Sequence, residues 1–216
     1  MRLAHDPNCL PNKERPILFN APMVCAVIAR AKGQTRRLFK ARNGGLWPNA
    51  NDLPGMRQLL RNCPYGKPGD RLWVRETWQH SNHPYGPYDA SCTVFYRADF
   101  MNDPHGPDGE KSSEGRYRTW RPAIHMPRSA CRLVLPITAI RLELLQDISE
   151  EDCIAEGIQR YQGPLPLRWV RYLDAITGEA CHNTARAAYA ALWDHINGTG
   201  SWDSNPWVWA IEFQPG

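Results

Sequence analysis

Long apolar runs are missing from this chain. No stretch approaches the roughly 20 apolar residues that a membrane helix needs, and the start, Met1-Arg2-Leu3-Ala4-His5-Asp6-Pro7, lacks the h-region of a signal peptide. A cytoplasmic protein without a membrane partner is therefore expected. Paired cysteine motifs are missing too. The seven cysteines, at 9, 25, 63, 92, 131, 153 and 181, include no C-x-x-C pair, so they read as reduced, packed thiols rather than a disulfide framework or a zinc site. His80-x-x-His83 has no matching second pair, whereas zinc needs three or four ligands; no metal or cofactor is expected. There is no P-loop, no G-x-G-x-x-G and no internal repeat, which excludes the common phosphate-cradling loops. Lysine is scarce, with 5 against 21 arginines.

That imbalance is informative, because arginine presents a rigid fork suited to phosphates, carboxylates and base edges, whereas lysine is a point charge. With nine tryptophans and a net charge of +4, the composition permits binding of nucleotides or RNA through stacking and phosphate contacts. The 42% apolar content of the 216 residues is ordinary for a globular protein and large enough for a core without staples.

The chain reads outward from Gly66-Lys67-Pro68-Gly69-Asp70-Arg71-Leu72-Trp73-Val74-Arg75-Glu76-Thr77-Trp78. A Pro-Gly turn feeds a strand. Alternation puts Leu72, Val74, Glu76 and Trp78 on one face. Glu76 thus sits on an apolar face, which is costly unless a cation, a hydrogen-bond donor or a substrate meets it. A salt bridge ordering the strand end is the plain alternative.

Residues 1–15 read as a loose arm, and 16–216 as one domain. Ile17-Leu18-Phe19 is a short strand, Asn20 caps a helix that tolerates Pro22, and Gly33 ends that helix. Within Lys32-Gly33-Gln34-Thr35-Arg36-Arg37-Leu38-Phe39 the helix end turns into a strand. Residues 41–65 look irregular, with at most one helical turn. Cys92–Arg97 is a strand; 99–118 is Gly/Pro/Asp-rich, of the kind that forms lids or insertions. Trp120–Arg128 gathers an aromatic, His125 and two arginines between prolines, a candidate pocket wall or a rigid connector. Cys131–Leu145 is one extended ribbon, interrupted at Pro136 by an edge or a bulge. Ser149 opens a short helix closed by Gly157. Thr184–Ile196 is amphipathic, with Ala185, Ala188, Leu192 and Ile196 in a stripe, and Trp207–Phe213 is a final strand. Short strands and irregularly placed helices predict an α+β fold on a small, mainly antiparallel sheet or barrel.

Lys32, Thr35 and Glu76 are the candidate catalytic residues. A lysine three positions before a threonine, across a helix-to-strand turn, can bring amine and hydroxyl together. Burial among cations lowers a lysine pKa, so that the amine can take the hydroxyl proton. A solvated cap role for Lys32 and a plain strand role for Thr35 are the structural alternatives.

At these residues the sequence resembles the ASCH family, the activating-signal-cointegrator homology domains of the PUA-like β-barrel superfamily, especially its phage and prophage members. The resemblance rests on Ala31-Lys32-Gly33-Gln34-Thr35-Arg36-Arg37, on Gly66–Trp78, on Trp120–Arg128, on Leu145–Asp152 and on Asn205-Pro206-Trp207-Val208-Trp209. It implies a small β-barrel with surrounding helices and a cleft for a modified nucleoside or RNA. Some members are amidohydrolases that remove the acetyl group of N4-acetylcytidine. The lysine, threonine and glutamate that serve them as base, nucleophile and orienting group map onto Lys32, Thr35 and Glu76. On that reading Arg36, Arg37, Arg75 and Arg128 contact phosphate or base edges, Trp78, Tyr96 or Trp120 stacks on the base, and His125 belongs to the pocket wall. Other members bind or cleave RNA, so RNA binding without turnover, ribonuclease action and a phage accessory role stay open. Two departures stand out: Arg30 occupies a position where the family often has glycine, and insertions lie near 41–63, 99–117 and 157–183.

Overall fold

The computed structural model describes residues 2–4, 13–41, 47–82, 86–102, 120–163, 170–173, 175 and 178–214. In chain order the elements are β1 (Arg2–Ala4), β2 (Glu14–Leu18), α1 (Ala21–Ile28), β3 (Gln34–Leu38), α2 (Leu53–Arg61), β4 (Arg71–Arg75), β5 (Trp78–His80), β6 (Val94–Tyr96), β7 (Val134–Leu144), α3 (Glu150–Ala155), β8 (Tyr172–Leu173), β9 (Ala180–His182), α4 (Ala185–Asn197) and β10 (Trp207–Phe213). Side-chain caps start the four α-helices among the described residues. Asn20, Asp52, Ser149 and Thr184 each accept from a backbone N–H in the first turn, which satisfies donors the helix itself leaves free.

The main sheet runs β2-β4-β7-β10-β3, with β1 also on β7. Among the described residues of this sheet only β2 and β4 are parallel; the other pairs are antiparallel. The fold is α+β with antiparallel-rich sheets, and among the described residues none closes into a barrel. The two ends of the sheet nevertheless come close. Arg37 of β3 donates to the Leu18 carbonyl of β2 at 2.7 Å, Phe19 lies 6.1 Å from Phe213, and α1 links the two edge strands. No helix among the described residues is long and apolar enough to cross a membrane.

Apolar residues of β4, β7 and β10 pack with α1 and α2 on one face, around Leu72, Ile140 and Ile211. On the other face Val208 packs with α3 and α4 through Cys153, Ala188 and Trp193. The strand at 71–75 alternates as expected, and Leu72, Val74, Glu76 and Trp78 are all buried.

Several expectations are corrected. The stretch 41–65 contains the nine-residue α2, started by Asp52 and Pro54 and anchored by buried Met56 and Leu60; short amphipathic spacing was hidden among turn residues. Pro136 does not interrupt the ribbon. It stands opposite Arg71 inside β7, an interior strand. The irregularity falls two residues on, where β10 shifts register between Glu212 and Phe213. There the inward-facing residues change phase from Leu135 and Ile137 to Ile140 and Leu142, as a bulge requires. Arg2–Ala4, inside the expected loose arm, pairs with β7. α1 ends at Ile28 with Ala29 as its cap, not at Gly33. Arg30 then takes a positive φ of 58°, the backbone conformation glycine favours. On α4 the buried stripe is Ala185, Ala188, Tyr189 and Trp193, while Ile196 is exposed. Most of the expected insertion at 99–117 lies outside the described residues.

Candidate functional site

The turn between α1 and β3 carries Lys32 inward. Lys32 N–H donates to the Ala26 carbonyl, Gly33 N–H donates to the Ala155 carbonyl, and the Gly33 carbonyl accepts from Phe213 N–H. These bonds tie the turn to α3 and β10, so the Lys32 side chain is 2% exposed rather than solvated. Its Nζ donates to Glu156 Oε2 and to the Glu156 carbonyl, both at 2.7 Å. Burial holds the Lys32 pKa below its ordinary value, and the attraction of Glu156 offsets only part of that. A neutral amine has two N–H groups and one lone pair. In that neutral form both N–H groups can be engaged by Glu156 and the lone pair is left to accept a proton, whereas the protonated form is the cation that Glu156 compensates.

Glu156 follows the last residue of α3, a position unfavourable for a carboxylate beside the helix C-terminus. Two cations compensate it: Lys32, and Arg36 Nη1 at 3.2 Å. Arg36 is fully buried and also donates to Gln34 Oε1 at 2.5 Å, Glu143 Oε1 at 2.7 Å and Asp152 Oδ2 at 2.9 Å. Arg141 continues the network to Glu143 at 3.0 Å, to Asp152 at 2.5 Å and to Glu212. The sheet explains this layout. Arg36, Ala210 and Arg141 stand in one cross-strand row, and the small Ala210 leaves space for two guanidinium forks. Burial works against the Arg36 charge, but Glu156 and the other carboxylates around it outweigh this and raise its pKa.

Lys32, Thr35, Arg36, Arg37 and Glu156 line one cavity of about 550 Å³, together with Tyr65, Trp209 and, from α4, Tyr189 and Trp193. Burial and nearby Glu156 push the Tyr189 phenol well above its ordinary range, so it stays a hydrogen-bond donor. The cavity wraps the free edge of β3. Phe39 N–H donates to the Trp207 carbonyl and Phe213 N–H to the Gly33 carbonyl, so odd-numbered residues bond β10 and Gln34, Arg36 and Leu38 turn their peptide groups to the open edge. A second cavity of about 280 Å³ shares Lys32 and Glu156 in its lining.

The remaining sequence candidates lie elsewhere, and none lines the larger cavity. Glu76 is buried, but its partner is Arg132, at 2.9 and 3.1 Å, which also holds Asp99 at 2.8 Å. Burial nonetheless keeps the Glu76 carboxyl above its ordinary value. Arg132 stacks 4.0 Å over Tyr96, whose hydroxyl donates to the Ala130 carbonyl at 2.9 Å. Trp78 is packed in a small core with Met126 and Ala130, with Arg121 over its ring. Arg75 donates to the Ile124 carbonyl, Arg128 pairs with Glu14 at 2.7 Å, Trp120 stands 5.6 Å from Arg97, and His125 is exposed. The structure therefore brings Lys32, Thr35, Arg36 and Arg37 together and leaves Glu76 in a separate ion pair. Glu156 is the carboxylate that sequence reasoning missed; its one signal in the sequence is an acid at the end of the helix opened by Ser149, just before Gly157.

No family model, curated protein or solved structure matches the chain.

Proposed function

We propose that the protein is an ASCH-type amidohydrolase acting on an N4-acylated cytidine, with Thr35 as nucleophile, Lys32 as base and Glu156, in place of Glu76, as the carboxylate that sets the amine. The sheet with its two ends drawn together is, on this reading, a PUA-like barrel. The observation that carries the proposal is the buried Lys32–Glu156 pair opening into the same cavity as Thr35.

The chemistry follows from those roles. Thr35 Oγ1 attacks the amide carbonyl as Lys32 takes its proton, and a tetrahedral intermediate forms. Lys32 then returns the proton to the departing N4 amine, the C–N bond breaks, and cytidine leaves an acyl ester on Thr35. Water, deprotonated by Lys32, hydrolyses that ester to a carboxylic acid and regenerates the hydroxyl. Peptide N–H groups on the open β3 edge serve as donors to the oxyanion. Aromatic walls from Tyr189, Trp193 and Trp209 suit a planar base.

Incubation with N4-acetylcytidine and chromatographic detection of cytidine tests this. Turnover is expected from the wild type and from Glu76→Gln, and loss of turnover from Thr35→Ala and Glu156→Gln. Full activity of Thr35→Ala sinks the nucleophile assignment. A second reading, base binding without turnover, draws on the two 2.7 Å bonds that engage Lys32 Nζ; it predicts nucleoside binding by calorimetry and no cytidine release.

A further inference from the structure

Trp47 is 69% exposed, the most exposed large apolar side chain among the described residues, and it is not isolated. Its ring lies 5.9 Å from Phe39, and Phe39 lies 5.6 Å from Trp209, which is a wall of the cavity that holds Lys32 and Thr35. A ladder of three rings thus leads from the cavity to the surface. Arg37, Lys40 and Ala41 line the cavity beside this ladder, continuing the path of β3 outward. The charge of the lining is one-sided: four cations, Lys32, Arg36, Arg37 and Lys40, against the single carboxylate Glu156. Glu156 is already spent on Lys32 and Arg36, so the outer part, Arg37 and Lys40, faces no acid of the lining.

We propose that Phe39 and Trp47 form a stacking platform for the nucleotide next to the one held in the cavity, so that the substrate is single-stranded RNA bearing the modified cytidine rather than the free nucleoside. The proposal rests on the function given above and names its substrate class. Every base has a π-face, so an exposed tryptophan held at one edge stacks any neighbouring base. A phosphodiester joining the two nucleotides meets Lys40 and the charge of Arg37, which its bonds to the Leu18 and Arg36 carbonyls hold in place without neutralising it; an uncharged nucleoside needs neither. An apolar protein surface would use the exposed ring but not the unbalanced cations beside it.

The test compares kcat/KM for free N4-acetylcytidine and for a short single-stranded oligoribonucleotide with N4-acetylcytidine at an internal position. Trp47→Ala is expected to lower kcat/KM on the oligonucleotide by about 5- to 150-fold, the effect of losing one stacked base, and to leave the nucleoside reaction unchanged. Trp47→Phe restores most of the loss. An unchanged oligonucleotide reaction, or an equal loss on both substrates, overturns the proposal. Fluorescence anisotropy with the same labelled oligonucleotide separates this from failure of the hydrolase reading. If neither substrate is turned over, weaker binding by Trp47→Ala upholds the platform while the hydrolase fails, and unchanged binding overturns the platform as well.

Discussion

Replacing Glu156 by glutamine takes away the counter-charge of two buried cations while keeping the size of the side chain. Glu156 is 4% exposed and Lys32 is 2% exposed, with 2.7 Å between Nζ and Oε2, and Arg36 Nη1 approaches the other oxygen at 3.2 Å. Removing one partner of such a pair leaves an uncompensated buried charge and costs about 3–5 kcal/mol, a large part of the roughly 5–15 kcal/mol that stabilises an ordinary domain. Arg36 keeps Glu143 and Asp152, so the loss falls mainly on Lys32. Urea unfolding followed by tryptophan fluorescence measures it. The double variant Lys32→Met with Glu156→Leu should regain at least about 2 kcal/mol over either single variant, because neither side then buries a lone charge. The wild type carries a pH signature as well. The folded-state pKa of Lys32 is depressed, so the unfolded chain binds the extra proton between that value and the ordinary 10.5, and stability rises with pH through that window. Lys32→Met should abolish the rise. A loss under about 1 kcal/mol in Glu156→Gln, or a double variant no more stable than the singles, refutes the assignment of this pair as buried and mutually compensated.

Glu76 behaves in the opposite sense. Burial raises its folded pKa above the ordinary 4.5, so the folded chain holds the extra proton and stability falls as pH rises through that interval; Glu76→Gln should flatten this fall in urea titrations between acid and neutral pH. Arg132→Ala leaves Glu76 buried without its main partner and should lower Tm at neutral pH by more than Arg128→Ala, whose pair with Glu14 is exposed. Arg30→Gly should stabilise the protein by about 0.5–1 kcal/mol in thermal melts, since glycine accepts the positive φ without steric cost and gives back part of the gain as chain entropy. Among the described thiols, Cys181 is exposed and should react first with a maleimide. Cys63, held by burial at about 11, and Cys153, at about 12, should stay unlabelled until urea unfolds the chain.

The helix starts were legible because Asn20, Ser149 and Thr184 cap by local chemistry, and the strand at 71–75 because its alternation is local too. α2 was not, since Pro54 and Gly55 read as turn residues until Asp52 is seen to cap them and Met56 and Leu60 to meet the core. Half of the site was legible for the same reason. Lys32 and Thr35 are three residues apart, and a turn brings them to one cavity. Their carboxylate partner comes from 124 residues away in sequence; the sequence pointed to Glu76 through strand alternation and not to Glu156, although the structure buries both. Burial alone could not choose between them; the choice depends on which cation each meets, Arg132 for one and Lys32 for the other.

Among the described residues β3 has one neighbour in the sheet, β10, through pairs that join residues 34–38 to 208–212. That pairing closes a very long loop, whose entropy must be spent before any contact rewards it. Lys32 and Thr35 thus depend on the far end of the chain for their surroundings, and a refolding experiment should show the cavity assembling after the local helices. The order reverses under stress. β3, bonded on one side only, should loosen in native-state hydrogen exchange before β7 does, and activity should vanish at lower denaturant than the bulk of the fold.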